Sequence, residues 1–335
     1  MKETREEACV HKRKIGSLGE VSAIGFGCLS FGNFYGPADH AESLEALGRA
    51  RDVGIDHIDT SNVYGAGRSE EIVGEFLKAN PGAFRIATKC GITRQKEKPY
   101  DNAPDYMREC LEGSLRRLGV DHIDLYYVHR REQDRPIEDV VETLARFKKE
   151  GKIGSIGFSE ISPASLERAH AVHPVDAVQS EYSLWTRQPE LGMIQACERL
   201  GTTLVAFSPL GRGILVDRPP QPANFDDKDF RKNNPRFVEP NFSSNMKPIT
   251  RFAQYARDHS HTPEALAIAW VLNRAPHIVP IPGTRYGDHI AADAKAAEIR
   301  LSADQMAEIE QILPAGFAHG NRYTAAQASG VEQYC

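Results

Sequence analysis

Four side chains in this chain are of the types that move protons and hold charge in enzymes, and three short segments carry them. Asp59 and Tyr64 lie in HIDTSNVYG, Lys89 ends RIATK, and His129 sits in YYVHR. A phenol has an ordinary pKa of about 10, too high for ready proton exchange near neutrality. A cation beside it stabilises phenolate and lowers that value. Lys89 can supply the cation, and Asp59 can hold the ammonium by pairing with it. Lowering the phenol by about two units requires roughly 2.7 kcal/mol of differential stabilisation, within reach of one close, partly desolvated charge. With His129 donating a hydrogen bond to a carbonyl oxygen, the set suits carbonyl reduction with Tyr64 as general acid. Singly, each residue has a plain structural explanation. Asp59 can cap a turn, Lys89 can be a solvated loop lysine, His129 can belong to a charge cluster with Arg130, Arg131 and Glu132, and Tyr64 can pack its ring and wet its hydroxyl. What distinguishes them is that all four fall at the ends of three adjacent predicted strands.

Those strands belong to an alternation of short apolar runs and longer amphipathic ones. Eight strands are predicted: Ser22–Phe26, His57–Asp59, Arg85–Thr88, Ile123–Val128, Ile153–Phe158, Ala177–Gln179, Thr203–Phe207 and His277–Pro280. The clearest helix is Pro136–Lys149, where Ile137, Val140, Val141, Leu144 and Phe147 share a face and Pro136 suits the first turn. Met107, Cys110, Leu111, Leu115 and Leu118 form a similar stripe. Asp39 with Glu42 resembles a capping box, and Pro163 and Pro263 read as first-turn prolines behind Ser162 and Thr262. Eight strand–helix repeats over about 300 residues predict a single α/β domain folded as a parallel (β/α)8 barrel. Its core spans about 10–315, with 316–335 as a C-terminal tail. Val10–Gly19 is expected to form a hairpin closing the barrel bottom. Gly211–Lys247, rich in Pro, Asn and Asp, reads as one long loop after the seventh barrel strand, a length that usually marks function. In such a barrel the active site lies at the carboxyl ends of the strands, which is where the four residues fall.

The bulk composition agrees with a globular enzyme. The 335 residues include 41 Lys and Arg against 46 Asp and Glu, a formal charge of -5, so no basic excess points to nucleic acid. Hydrophobic residues make up 41%, but the longest apolar run, Ala265–Leu272, is far short of a bilayer span. The charged start MKETREEACVHKRK lacks the apolar region of a secretory signal. Six scattered cysteines (Cys9, Cys28, Cys90, Cys110, Cys197, Cys335) without a CxxC pattern read as reduced thiols of a cytoplasmic protein. No metal site is expected, and no sequence signal speaks to oligomeric state.

Over almost its whole length the chain resembles an aldo-keto reductase. GIDHIDTSNVYG (54–65), IATK (86–89) and DLYYVHR (124–130) are similar to that family's aspartate–tyrosine, lysine and histidine segments. The resemblance implies a TIM barrel, a catalytic tetrad of Asp59, Tyr64, Lys89 and His129, and hydride from NADPH for reversible reduction of an aldehyde or ketone. GKIGSIGFSE, VQSEYSLWTRQPE and VAFSPLGRG most resemble the branch that includes perakine reductase and auxin-induced-like reductases. By the same resemblance Ser159 and Gln179 hold the nicotinamide carboxamide. Glu160 stands where many relatives have Asn and can accept from the amide. Phe207 stacks on the nicotinamide ring, and Ser208, Leu210, Gly211 and Gly213 approach the pyrophosphate, glycine allowing close backbone contact.

IPGTRYGDHIAADAKAA (281–297) resembles the adenosine-phosphate site, with Gly283, Thr284 and Arg285 placing donors near a 2′-phosphate. Three positions depart from the pattern: His289 for Arg, Ala292 for Glu, and Asp293 for Asn. A mostly neutral imidazole in place of a permanent guanidinium weakens selection for NADPH, so NADH is a competitor. The substrate is expected to be a small carbonyl compound held by loop aromatics, with Phe31, Phe34, Tyr35 and Trp185 as candidates. Two glycine patterns, Gly65-Ala66-Gly67 and Gly25-Phe26-Gly27, lack the spacing or context of a Rossmann fingerprint. A metal-dependent barrel hydrolase would want His-x-His ending the first strand, which instead ends at Gly27-Cys28. The alternative reading is a non-catalytic NADP(H)-binding regulatory barrel subunit that senses redox state.

Overall fold

The computed structural model describes residues 10–334. An antiparallel hairpin, β1 (Lys12–Ile15) and β2 (Gly19–Ser22), precedes eight parallel strands: β3 (Phe26–Gly27), β4 (His57–Asp59), β5 (Arg85–Cys90), β6 (Ile123–Val128), β7 (Ile153–Ser159), β8 (Ala177–Glu181), β9 (Thr203–Phe207) and β10 (Ile278–Ile281). They pair in chain order from β3 to β10. The ring is drawn together by Gly25 N donating to Pro280 O and Gly27 N to Pro282 O, both 2.9 Å, with a bridge between Gly27 and Gly283. The predicted (β/α)8 barrel is what forms.

Strand ends differ from the prediction for local reasons. Ser22 belongs to the hairpin, not to the first barrel strand, because it pairs with Lys12 and its N–H goes to Asp56 Oδ1 at 2.6 Å. The chain then passes Gly25, where a Cβ would lie 2.2 Å from the His57 ring, so no larger residue fits. The hairpin runs to Ser22 and so extends past the expected Gly19. It plugs the barrel floor: Ile15 and Val21 pack with Ala87, Leu125, Tyr127, Ala177, Val205, Val279 and Ile281. Strands β5, β7 and β8 each run one or two residues further than predicted, which carries Lys89, Ser159 and Gln179 inside strand ends.

The outer helices bury the stripes the spacing predicts. Ile137, Val140, Val141, Leu144 and Phe147 are all buried in helix Ile137–Lys149, and Pro136 is its N-cap, one position earlier than expected. Met107, Cys110, Leu111, Leu115 and Leu118 are buried in helix Pro104–Leu118. Ser162 and Thr262 cap helices whose first residues are Pro163 and Pro263, and Asp39 accepts from Glu42 N at 3.0 Å. The long loop ends early, because helix Asn241–Asp258 begins within it. The interior Pro248 obscures that helix in the sequence, yet Phe242, Asn245, Ile249, Phe252 and Ala256 make its buried stripe.

The segment after 315 is no free tail. It folds back over the carboxyl ends of the strands, with Asn245 Oδ1 accepting from His319 N at 2.7 Å and Arg131 Nη1 reaching Glu332 Oε1 at 2.5 Å. Cys28, Cys90, Cys110 and Cys197 are buried free thiols; Cys9 and Cys335 lie outside the described residues. Among the described residues no helix is long and apolar enough to cross a membrane. No cluster of three or more His, Cys, Asp or Glu among them could hold a metal.

Candidate active site

At the carboxyl end of the barrel, β4 ends at Asp59, β5 carries Lys89 in its penultimate position, and β6 runs directly into His129. Parallel pairing of β4 with β5 and of β5 with β6 brings these ends side by side. Tyr64 follows on a turn after β4, in which Gly65 and Ala66 adopt left-handed backbone and return the chain over the barrel mouth.

Lys89 is fully buried, and its ammonium has three acceptors for its three protons: Asp59 Oδ1, the Thr60 carbonyl oxygen at 2.7 Å, and Tyr64 Oη at 3.2 Å. Asp59 is buried as well and receives a second donor, Gln179 Nε2, at 2.8 Å. His129 is buried, with Nδ1 3.1 Å from Ser61 Oγ and its ring edge-on to that of Tyr64 at 5.7 Å between centroids. The structure therefore gathers the four predicted groups. It adds Thr60 O, Ser61 and Gln179 as their partners.

The electrostatics differ from the sequence expectation in one respect. Burial pushes the Tyr64 phenol above its ordinary value, and the nearby Lys89 charge only partly offsets this. The expected fall of about two units thus does not occur, because desolvation of phenolate outweighs a cation already paired with Asp59. Lys89 stays raised: burial works against its charge, but Asp59 and Tyr64 more than restore it. Burial, together with Arg130 and Lys89, holds His129 well below the usual imidazole range, so the ring is neutral near pH 7.

Around this centre, Ser159 Oγ accepts from Arg130 Nη1 at 3.2 Å, and the same nitrogen donates to His129 O at 2.6 Å. Glu160 does not offer an open carboxylate. Its two oxygens are taken by Arg322, and Oε1 also accepts from Glu181 N at 2.8 Å. Gln179 donates one of the two hydrogens of its amide to Asp59. Phe207, at the end of β9, is half-buried at the barrel mouth. Ser208, Gly211, Arg212 and Gly213 all have positive φ, and Leu210 O accepts from the N–H groups of Gly213, Ile214 and Leu215 at 3.1 Å. A turn of this kind can turn backbone N–H groups toward an anion.

Beyond β10, Thr284 Oγ1 lies 3.3 Å from His289 Nδ1, and Arg285 Nη1 donates to Pro37 O at 2.7 Å. Gly283 packs against Gly27, where a Cβ would meet its carbonyl at 2.7 Å. His289 is exposed. Asp293 is buried on the inner face of helix Gly287–Ala294, where burial and the nearby Glu264 push its carboxyl well above the ordinary range.

The aromatic candidates divide. Phe31 is fully buried in the core against Phe26, and Trp185 is buried against Phe237 beneath Gly211, so neither is an open pocket wall. Tyr35 is half-buried under the Arg231 guanidinium at 4.7 Å, and Phe34 is exposed against Phe230 at 4.9 Å. Sequence reasoning missed Tyr323, which edges onto Phe230 at 6.4 Å, and the buried pair Arg212–Glu181 at 2.8 Å.

These features have counterparts in known proteins. The sequence model of the Aldo/keto reductase family matches residues 23–314. A probable aldo-keto reductase 1 of Glycine max is 38% identical over 322 residues, 95% of this chain and 93% of that one. An aldo-keto reductase of Schizosaccharomyces pombe, named with NADP(+), is 38% identical over 327 residues, 95% of this chain and 96% of its own. The glycerol dehydrogenase of Gluconobacter oxydans is 28% identical and superposes with a TM-score of 0.82 over 90% of this chain and 94% of that one. With the family sequence model spanning most of the barrel and close relatives matching nearly end to end, the chain belongs to the aldo/keto reductase family.

Proposed function

We propose that this protein reduces an aldehyde or ketone to the alcohol, reversibly, using NADPH, with Tyr64 as proton donor. The observation that carries the reading is the Lys89 ammonium, buried and shared among Asp59, Thr60 O and Tyr64 Oη. When bound, the reduced nicotinamide supplies hydride to the carbonyl carbon. Tyr64 Oη gives its proton to the carbonyl oxygen as negative charge develops there. Lys89, hydrogen-bonded to that phenol, stabilises the phenolate left behind, and Asp59 keeps the ammonium charged and in place. Neutral His129 acts as a donor through Nε2–H if Ser61 Oγ donates to Nδ1, which orients the carbonyl toward Tyr64.

The residues at the mouth fit a nicotinamide nucleotide. Ser159 and Gln179 are amide partners, half-buried Phe207 offers a ring face, and the left-handed turn at 211–213 presents backbone to an anion. Arg285 and Thr284 are the residues that would hold a 2′-phosphate, and the NADP(+) in the yeast relative's name supports that choice. Tyr35, Phe34, Phe230 and Tyr323 form the aromatic rim that would receive the substrate.

The test is a panel of aldehydes and ketones assayed by loss of reduced nicotinamide absorbance, run in parallel with NADPH and NADH. Repeated turnover with higher kcat/KM for NADPH is expected. Tight nucleotide binding with a single turnover per protein would reject the catalytic reading.

A further inference from the structure

We propose that Arg322 is a positioning residue for the nicotinamide end of the cofactor. It clasps Glu160 and thereby fixes the neighbouring Ser159 and Gln179, an inference that rests on the cofactor reading of those two residues. Glu160 has φ +57°, a left-handed conformation that a long side chain adopts only when its surroundings enforce it. Each of its polar atoms is held. Its N–H donates to Gln179 O at 2.9 Å, and its carbonyl accepts from Glu332 N at 3.0 Å. Oε1 accepts from Glu181 N at 2.8 Å and from Arg322 Nη1 at 3.2 Å, and Oε2 accepts from Arg322 Nη2.

Two of these grips, from Arg322 and Glu332, come from the C-terminal segment. Glu332 also accepts from Ser162 N at 2.8 Å and pairs with Arg131, so the turn just past Ser159 is pinned from both sides. Arg322 is itself anchored. Its carbonyl accepts from Arg212 Nη1 at 2.8 Å and Asn234 Nδ2 at 2.9 Å. One residue therefore ties the turn after β7 to the loop after β9, the two places assigned to the carboxamide and the pyrophosphate. A buried, strained residue bonded to Gln179 and adjacent to Ser159 transmits its position to both.

The test compares full-length wild type, Arg322→Met, Arg322→Lys and the double variant Arg322→Met/Glu160→Gln. It reads NADP+ affinity by titration calorimetry, thermal midpoint, and KM for NADPH against kcat. Arg322→Met should weaken NADP+ binding at least tenfold, with the loss falling mainly on KM, and Arg322→Lys should recover part of it. The double variant removes both members of the pair, so it should regain thermal stability without regaining NADP+ affinity. Wild-type affinity in the double variant, or in a folded Arg322→Met protein, would overturn the proposal. If Arg322→Met does not fold, the lysine and double variants decide. Wild type that binds NADP+ yet reduces no carbonyl would overturn the proposed reaction alone.

Discussion

Replacing Lys89 by methionine separates what its ammonium does for folding from what it does for chemistry. The substitution keeps much of the side-chain volume but removes a charge that is fully buried and donates to three acceptors. Asp59 is then left buried with Gln179 Nε2 as its remaining side-chain donor. Breaking a buried pair from one side costs about 3–5 kcal/mol, because the other charge is stranded. With an unfolding entropy of roughly 2.1 cal/mol/K per residue, a chain of 335 residues changes stability by about 0.7 kcal/mol per kelvin. The midpoint should therefore fall by about 4–7 °C. Adding Asp59→Asn removes the stranded charge, and most of that fall should be recovered. Activity should not follow. Without the ammonium, phenolate is no longer stabilised, and loss of effective acid catalysis is worth about 10²–10⁴ in kcat. Calorimetry and steady-state kinetics on the single and double variants read both effects. A double variant that recovers turnover along with stability would refute the reasoning, since it would make Lys89 a structural ion and nothing more.

Further outcomes follow from the same geometry. The Tyr64 phenol is raised above its ordinary value by burial, so it stays protonated and reduction should hold level from about pH 6 to about pH 9. Alcohol oxidation, which needs phenolate, should rise with pH over that range. His129 is neutral throughout, so a break in the pH–rate profile of reduction near its unperturbed pKa of about 6.5 would contradict the assignment. His289→Arg should shift selectivity toward NADPH by about tenfold, the lower end of what a charged hydrogen bond contributes; an unchanged kcat/KM ratio would show that this exposed residue faces away from the ribose. Asp56 ties the hairpin to the barrel through Lys12 and Ser22. Although burial pushes its carboxyl up, the bonds from His57, Lys12 and Ser22 hold it well below the usual range. Its stabilising contribution is present above the unfolded pKa of about 3.9 and lost as pH falls through the folded one. The midpoint gap between wild type and Asp56→Asn should narrow below about pH 4, and a gap that persists would contradict the tie.

How much of this was legible in the residues depends on the range of the interaction. Strands and helices are local, and the stripes at Ile137–Phe147 and Met107–Leu118 announced their buried faces by spacing alone. The tetrad was legible because a barrel puts strand ends on one rim, whatever the loops do. Contacts made across the rim were not. Nothing about Gln179 indicates that its amide bonds Asp59, 120 positions away, and a backbone acceptor such as Thr60 O has no side-chain signature. Phe31 sits in a single 3-10 turn, Leu29–Gly32, and Trp185 in a loop turn; neither stretch is long enough to show a period that says which way they face, and both turn inward. The C-terminal segment has no repeat and only a four-residue helix, Ala325–Ala328, so its docking through Arg322 and Glu332 shows only in three dimensions. The phenol's upward shift was missed for the same reason: the charge that lowers it is named in the sequence, whereas the burial that raises it is a property of packing.

The central claim is that Tyr64 delivers the proton in a nicotinamide-dependent carbonyl reduction. Tyr64→Phe removes one oxygen and leaves the ring, so kcat on a ketone reduced by wild type should fall by about 10²–10⁴ while NADP+ affinity stays within a few-fold. Reduction at a rate close to wild type in that variant would contradict the account.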